Sequence, residues 1–202
     1  MKIGILGTGK VAHVLGGAWQ QAGHEVLLGG RTPSAADSGL EVGLLKDVLA
    51  FGDVIVNAIT GAAALEAITA LDVSAMAGKT LLDVTNAVSA TGELVYPNSS
   101  LAEHLQAALP DVHVVKSLNT AAIEVQADPS LAGPGTLFVS GDDADAKQQV
   151  VGLLHDLGWT DDGILDLGGV QTARGPEHYI VLFFLAIGVL KSPFFNLRIS
   201  QK

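Results

Sequence analysis

Gly7, Gly9 and Ala12 stand in a G-x-G-x-x-A spacing, directly after the apolar stretch Lys2–Leu6 and directly before a run with helical periodicity. The chemistry such a turn can do is to hold phosphate. Gly7 permits a tight turn, Gly9 has no side chain to block a pyrophosphate, and Ala12 lets helix and strand pack closely. Thr8, Lys10 and Val11 complete the turn. The first amides of the helix then meet the phosphates with the positive end of the helix dipole. On its own the spacing also arises as a chance glycine turn. Between a strand and a helix it points to a dinucleotide.

The end of the second strand says which one. About 20 residues beyond the glycine turn, an NAD site presents Asp or Glu to the adenosine ribose. Here the chain reads Leu28-Gly29-Gly30-Arg31-Thr32, with no carboxylate. Arg31 can fork onto a 2′-phosphate, and Thr32 and Ser34 can add hydroxyl donors. The alternative is a solvated loop arginine. A hydrogen bond to a charged group contributes about 1.5–3 kcal/mol. That would favour NADPH over NADH by roughly tenfold to a hundredfold or more.

Asn86 and Asn119 fall at or beyond the ends of apolar strands, where the edge of a ligand belongs, and Asn57 lies within one. Asn86 and Asn119 are read as holding the carboxamide or ribose of a nicotinamide; local turn hydrogen bonding is the competing reading. No catalytic acid, base or nucleophile stands out, and no metal ligand set is assigned. His13, His24, His104, His113, His155 and His178 show no metal spacing and adjoin no serine nucleophile motif. Asp142, Asp143 and Asp145 read as capping and charging a helix start, with Asp142 as the N-cap. Asp161 and Asp162 read as turn residues. A site of this kind suits hydride transfer, in which the cofactor carries the reaction and the protein supplies placement and electrostatics.

The elements that must position these residues alternate along the chain. Strands are predicted at 2–6, 25–29, 53–59, 80–84, 112–116, 136–140 and 163–167, with a short one after the 31–39 loop. Helices fall between them, near 44–51, 62–71, 101–109, 142–157 and 171–190. The first helix shows an apolar face at Val11, Val14, Leu15, Ala18 and Ala22. This order implies an α/β fold, a Rossmann-type doubly wound, mostly parallel sheet with a small C-terminal helical extension. Residues 1–170 would form the dinucleotide-binding domain, and 171–202 a helix and tail. Ligand then belongs at the carboxyl ends of the strands.

Bulk composition narrows the partners. A chain of 202 residues with 49% hydrophobic and 16% charged residues suits one compact domain. Its net charge of −10 disfavours nucleic acid and anionic membrane surfaces. The absence of cysteine removes thiolate and disulfide chemistry and fits a reducing cytoplasm. The N-terminus is the first strand itself, so no secretory signal is expected. The apolar run 179–190 is shorter than the roughly 20 residues that span a bilayer, and reads as a buried helix or subunit contact.

Later segments carry a more specific likeness. Asp83-Val-Thr-Asn86, Lys116-Ser-Leu-Asn-Thr120, Val139-Ser-Gly-Asp-Asp143, Asp166-Leu-Gly-Gly169 and Thr172-Ala-Arg-Gly-Pro-Glu-His-Tyr179 join the glycine turn and Gly29-Gly30-Arg31. With them the whole chain resembles the NADP oxidoreductases that use the deazaflavin coenzyme F420, and the cytosolic reductase domain of membrane metalloreductases. The resemblance implies NADP phosphates on Gly7, Thr8, Gly9, Lys10 and Val11. It implies the 2′-phosphate on Arg31 and Thr32, beside Gly30, which stands where the family has serine. It places the nicotinamide by Ala58, Ile59, Thr60, Asn86, Ala87, Asn119, Thr120 and Ala121. The Asn119 place is more often histidine in the deazaflavin enzymes, which leaves F420 or a flavin open as second substrate. The implied partner is a small-molecule hydride acceptor, and the apolar tail 193–199 suggests packing on the body or a homodimer. Two other readings remain: an NADP(H)-binding sensor without turnover, and a reductase of a small imine or carbonyl. Arg31→Glu is predicted to weaken NADPH binding far more than NADH binding in paired titrations; equal losses would remove the 2′-phosphate assignment.

Overall fold

The computed structural model describes residues 1–32, 34, 35 and 39–200. The elements are β1 (Lys2–Leu6), α1 (Lys10–Gln21), β2 (Glu25–Gly30), β3 (Ser34–Ala35), β4 (Glu41–Leu44), α2 (Leu45–Phe51), β5 (Val54–Asn57) and α3 (Gly61–Thr69). There follow β6 (Thr80–Asp83), α4 (Leu101–Ala108), β7 (His113–Lys116), α5 (Ile123–Ala127), β8 (Leu137–Gly141), α6 (Ala144–Asp156), β9 (Ile164–Gly168) and α7 (Arg174–Leu190). They form a sheet in the order β3-β4-β2-β1-β5-β6-β7-β8-β9. All pairings are parallel except β3 with β4 and β7 with β8. The expected doubly wound fold is what forms.

Strands buried on both faces explain the near-continuous apolar runs. Alternate residues of one strand feed opposite layers. Ile3, Ile5, Val54, Val56, Leu82 and Val115 pack with α1, α5, α6 and α7. Leu6, Ile55, Leu81 and Val114 pack with α2, α3 and α4 on the other face. Ile180 and Phe183 of α7 belong to the first of these cores, so the C-terminal helix shares its apolar interior with the sheet and with α1, α5 and α6.

Several local expectations change. The buried face of α1 is Ala12, Leu15, Gly16 and Trp19, while Val11, Val14 and Ala18 are half-buried and Ala22 is exposed. The spacing is still three and four, but the stripe is rotated. Gly16 lies so close to the sheet that a Cβ there would sit 3.2 Å from both Ile5 and Leu40. Trp19 is held by its indole N–H, which donates to the Leu153 carbonyl at 3.1 Å. Asp143, not Asp142, caps α6, accepting from the Ala146 N–H at 2.8 Å. Asp142 instead accepts from the Val170 N–H at 2.9 Å. Strand β3 falls in the segment read as loop, and α5 has no counterpart in the sequence reading.

The apolar run at the C-terminus also proves longer in structure than as uninterrupted letters. A helical segment Val170–Leu190 is long and apolar enough to cross a membrane by length and composition. Counting only consecutive apolar residues missed its first turns, which carry polar side chains. Pro176, Glu177, Ile180 and Phe183 face inward, while Leu182, Leu185 and Val189 are exposed. The tail after it lies on the body of the chain. The Thr136 N–H donates to the Leu197 carbonyl at 2.8 Å, and Asn196 Nδ2 donates to the Gly133 carbonyl at 2.8 Å.

Candidate functional site

β1 pairs in parallel with β2 on one side and β5 on the other, so the winding of the chain reverses there. A crevice opens outside the carboxyl ends of these strands. Gly7 turns the chain at that point with φ +124°, and a Cβ on it would lie 2.7 Å from the Ala58 carbonyl oxygen. Conformation and contact both demand glycine. The Gly7 N–H donates to the Gly29 carbonyl at 2.9 Å, which ties the turn to the end of β2.

Gly9 is the N-cap of α1, in extended backbone at φ −82°, and a Cβ there would meet nothing within 4 Å. Open space therefore fronts the first amides of a 12-residue helix. Those amides lack intrahelical acceptors and carry the positive end of the dipole, so these residues fit a pyrophosphate.

At the end of β2, where the sequence reading put the adenosine, Gly30 closes the strand and lies against Thr8: a Cβ at 30 would sit 3.1 Å from the Thr8 methyl. That methyl occupies the space a serine there would crowd. Arg31 and Thr32 follow and are exposed. Pro33 lies outside the described residues. Ser34 is described only by its backbone, in β3.

A cleft of about 580 Å³ continues from the glycine turn over the ends of β5, β6 and β7. It brings together Gly9, Lys10, Val11, Ala58, Ile59, Thr60, Asn86, Asn119 and Ala121 of the residues singled out from sequence. Ala87 and Thr120 are not among its lining residues; both are buried beside it. Asn86 and Asn119 clasp each other: Asn119 Nδ2 donates to Asn86 Oδ1 at 2.9 Å, and Asn86 Nδ2 donates to the Asn119 carbonyl at 2.8 Å. The main chain of Asn86 is pressed on by α3, since a Cβ on Gly61 would lie 2.2 Å from the Asn86 carbonyl oxygen. Asn57 is buried, does not line the cleft, and works inside the fold. Its amide donates to Asp83 at 2.9 Å and its oxygen accepts from the Ile59 N–H at 3.1 Å.

The sequence reading missed the opposite wall. Glu124 and Gln126 of α5 line the cleft, as do Ile180, Phe183 and Phe184 of α7 and Pro193 of the tail. Only the aromatic pair within the apolar run was a signal, and it reads equally as core. Gln126 directs its amide N–H to the Ala121 carbonyl at 2.9 Å, while its Oε1 is a buried acceptor with no protein partner among the described residues. A ligand N–H is the kind of group such an acceptor calls for.

Charge in the cleft is arranged in pairs. Lys10 of α1 reaches across to Glu124, and hydrogen bonding by that ammonium holds the Glu124 carboxyl below its ordinary range. Both groups are substantially exposed, so the pair contributes about 0–1 kcal/mol and opens readily. Beneath the cleft, Lys116 is buried against Asp83 at 2.7 Å and Glu177 at 3.0 Å. Burial pushes the Lys116 pKa down, but the two carboxylates outweigh it and the net shift is upward, so the ammonium stays charged at neutral pH. The histidines are occupied elsewhere, for example His24 with Asp156 at 2.9 Å and His178 with the Tyr96 and Ser99 carbonyls at 3.1 Å. Among the described residues no group of His, Cys, Asp and Glu could hold a metal.

Comparison with known proteins shows that the chain is similar to NADP-dependent reductases. Residues 2–87 match the family described as NADP oxidoreductase, coenzyme F420-dependent. A candidate F420-dependent NADP-reductase from Arthrobacter sp. FB24 is 36% identical, with a TM-score of 0.93 over 100% of both chains. The metalloreductase STEAP3 of Rattus norvegicus is 30% identical over 87% of this chain, which spans 36% of that protein. An imine reductase from Myxococcus stipitatus, solved with NADP+, shares the fold at a TM-score of 0.70 and 17% identity, over 95% of this chain and 63% of that one.

Glu124→Gln removes a negative charge from the cleft wall and releases Lys10. NADPH binding is expected to tighten by up to about fivefold at low salt, with the gain shrinking as salt rises. Calorimetric titrations across a salt series check this; weakened binding, or a gain indifferent to salt, would contradict it.

Proposed function

Since the chain belongs to the coenzyme F420-dependent NADP oxidoreductase family, we propose that it moves a hydride between NADP(H) and a flat tricyclic acceptor, the deazaflavin F420 or a flavin. The bound nicotinamide supplies the hydride chemistry. The protein's own residues bind, orient and exclude water.

The observation that carries this reading is the pairing of unlike walls across one cleft. One wall is polar and belongs to strand ends: Thr60, Asn86 and Asn119. The facing wall is apolar and comes from the C-terminal segment: Ile180, Phe183, Phe184 and Pro193. Polar groups suit a carboxamide and ribose, and an apolar aromatic wall suits a planar ring system laid over them. Hydride transfer needs two rings face to face with water excluded, and needs no acid or base of the protein at the reacting carbon. The clasped pair Asn86–Asn119 keeps donor and acceptor capacity for a carboxamide, since each amide spends only part of it on the other.

The exposed outer side of α7, with Leu182, Leu185 and Val189, supports association with a second copy of the chain as part of the same proposal. Covering that face would leave the inner face free to line the cleft.

Mixing NADPH with F420, FMN or FAD and following the nicotinamide absorbance band tests the reading. Saturable oxidation of NADPH by at least one of these acceptors is expected. Tight NADPH binding without oxidation by any of them would instead make the chain a sensor.

A further inference from the structure

Glu177 is a buried carboxylate in the long apolar helix α7, 3% exposed. Both of its oxygens are engaged. Oε2 accepts from the Leu101 N–H at 2.9 Å, and Oε1 from the Ala102 N–H at 3.2 Å and from Lys116 Nζ at 3.0 Å. Lys116, 1% exposed, donates in turn to Asp83 Oδ2 at 2.7 Å and to the Thr85 carbonyl. Asp83 Oδ1 accepts from Asn57 Nδ2 at 2.9 Å, from the Thr85 N–H at 3.2 Å and from the Thr85 hydroxyl at 2.9 Å.

A buried ion pair is weak evidence of a stabilising role, because an apolar group of similar shape often serves a fold as well. What the cluster specifies is geometry. Lys116 and Asp83 end neighbouring strands, and the residue they grip, Thr85, leads directly into Asn86. Glu177, Ile180 and Phe184 are three and four residues apart, hence on one face of α7. Ile180 and Phe184 line the cleft. One ammonium therefore fixes both walls, the polar edge through Thr85 and the apolar helix through Glu177.

We propose that Glu177 is a positioning residue for hydride transfer: through Lys116 it sets the apolar face of α7 against the Thr85–Asn86 edge, holding the acceptor plane over the nicotinamide. It need touch neither ligand. The proposal rests on the hydride-transfer reading above and adds to it which residues register the two walls.

Glu177→Gln in the full chain is the direct test, with the triple variant Asp83→Asn/Lys116→Met/Glu177→Leu as a charge-free form of the cluster. Three readouts are compared with the parent: affinity for NADPH and for 2′,5′-ADP, fluorescence of bound NADPH, and single-turnover oxidation by F420 or the accepted flavin. The 2′,5′-ADP affinity should hold, because the adenosine end is remote from the cluster. The turnover rate should fall about tenfold to a hundredfold, as expected of misplaced reactants. Bound NADPH should lose its fluorescence enhancement. Full rate with unchanged fluorescence in either folded variant would overturn the proposal, as would parallel losses of NADPH and 2′,5′-ADP affinity. A parent that binds NADPH but oxidises it with no acceptor would refute the functional reading, and the fluorescence comparison would still decide this one.

Discussion

At the carboxyl ends of β1, β5 and β6 the backbone itself is the packing material. A Cβ on Gly7 would lie 2.7 Å from the Ala58 carbonyl oxygen, and one on Gly61 would lie 2.2 Å from that of Asn86. Main chain can touch main chain this closely only through glycine. Because of these contacts the turn after β1, the start of α3 and the Asn86 segment form one rim. Everything proposed for the cleft depends on that rim: the open amides of α1 at one end and the Asn86–Asn119 clasp at the other.

A chain with net charge −10 offers a phosphate-rich ligand no attraction at long range. Attraction has to be local, and the structure supplies it in three forms. The N-terminus of α1 contributes fixed dipoles, Arg31 contributes an exposed guanidinium, and Lys10 contributes an ammonium parked on Glu124. Lys116 belongs to a different category. It is enclosed by two carboxylates and is not available to phosphate. The two carboxylates hold its pKa above the ordinary value, so the ammonium stays charged at neutral pH.

Much of this was legible in the letters, for identifiable reasons. The glycine turn is encoded by local steric demands, so its spacing predicts its shape. Buried parallel strands have to be apolar throughout, so β1, β5, β6 and β7 announce themselves. Asn86 and Asn119 interrupt apolar runs at strand ends, which marks the edge of the cleft. Other features have no local code. The direction of β8 depends on the path of the chain over α5, a five-residue helix too short to show periodicity. The rotated face of α1 depends on how closely Gly16 approaches the sheet. Asp142 and Asp143 differ only in which backbone N–H each meets. The role of Glu177 was the least legible. A lone acid in a helix reads as solvent-facing, and only the meeting of α7 with β7 and α4 shows it buried.

The most direct test of the account is a crystal structure of the chain with NADP+. The pyrophosphate should lie on the amides of Lys10 and Val11, the 2′-phosphate on Arg31, and the nicotinamide over Asn86 with its free face toward Phe184. A dinucleotide bound away from the glycine turn, or one whose nicotinamide faces away from α7, would contradict it.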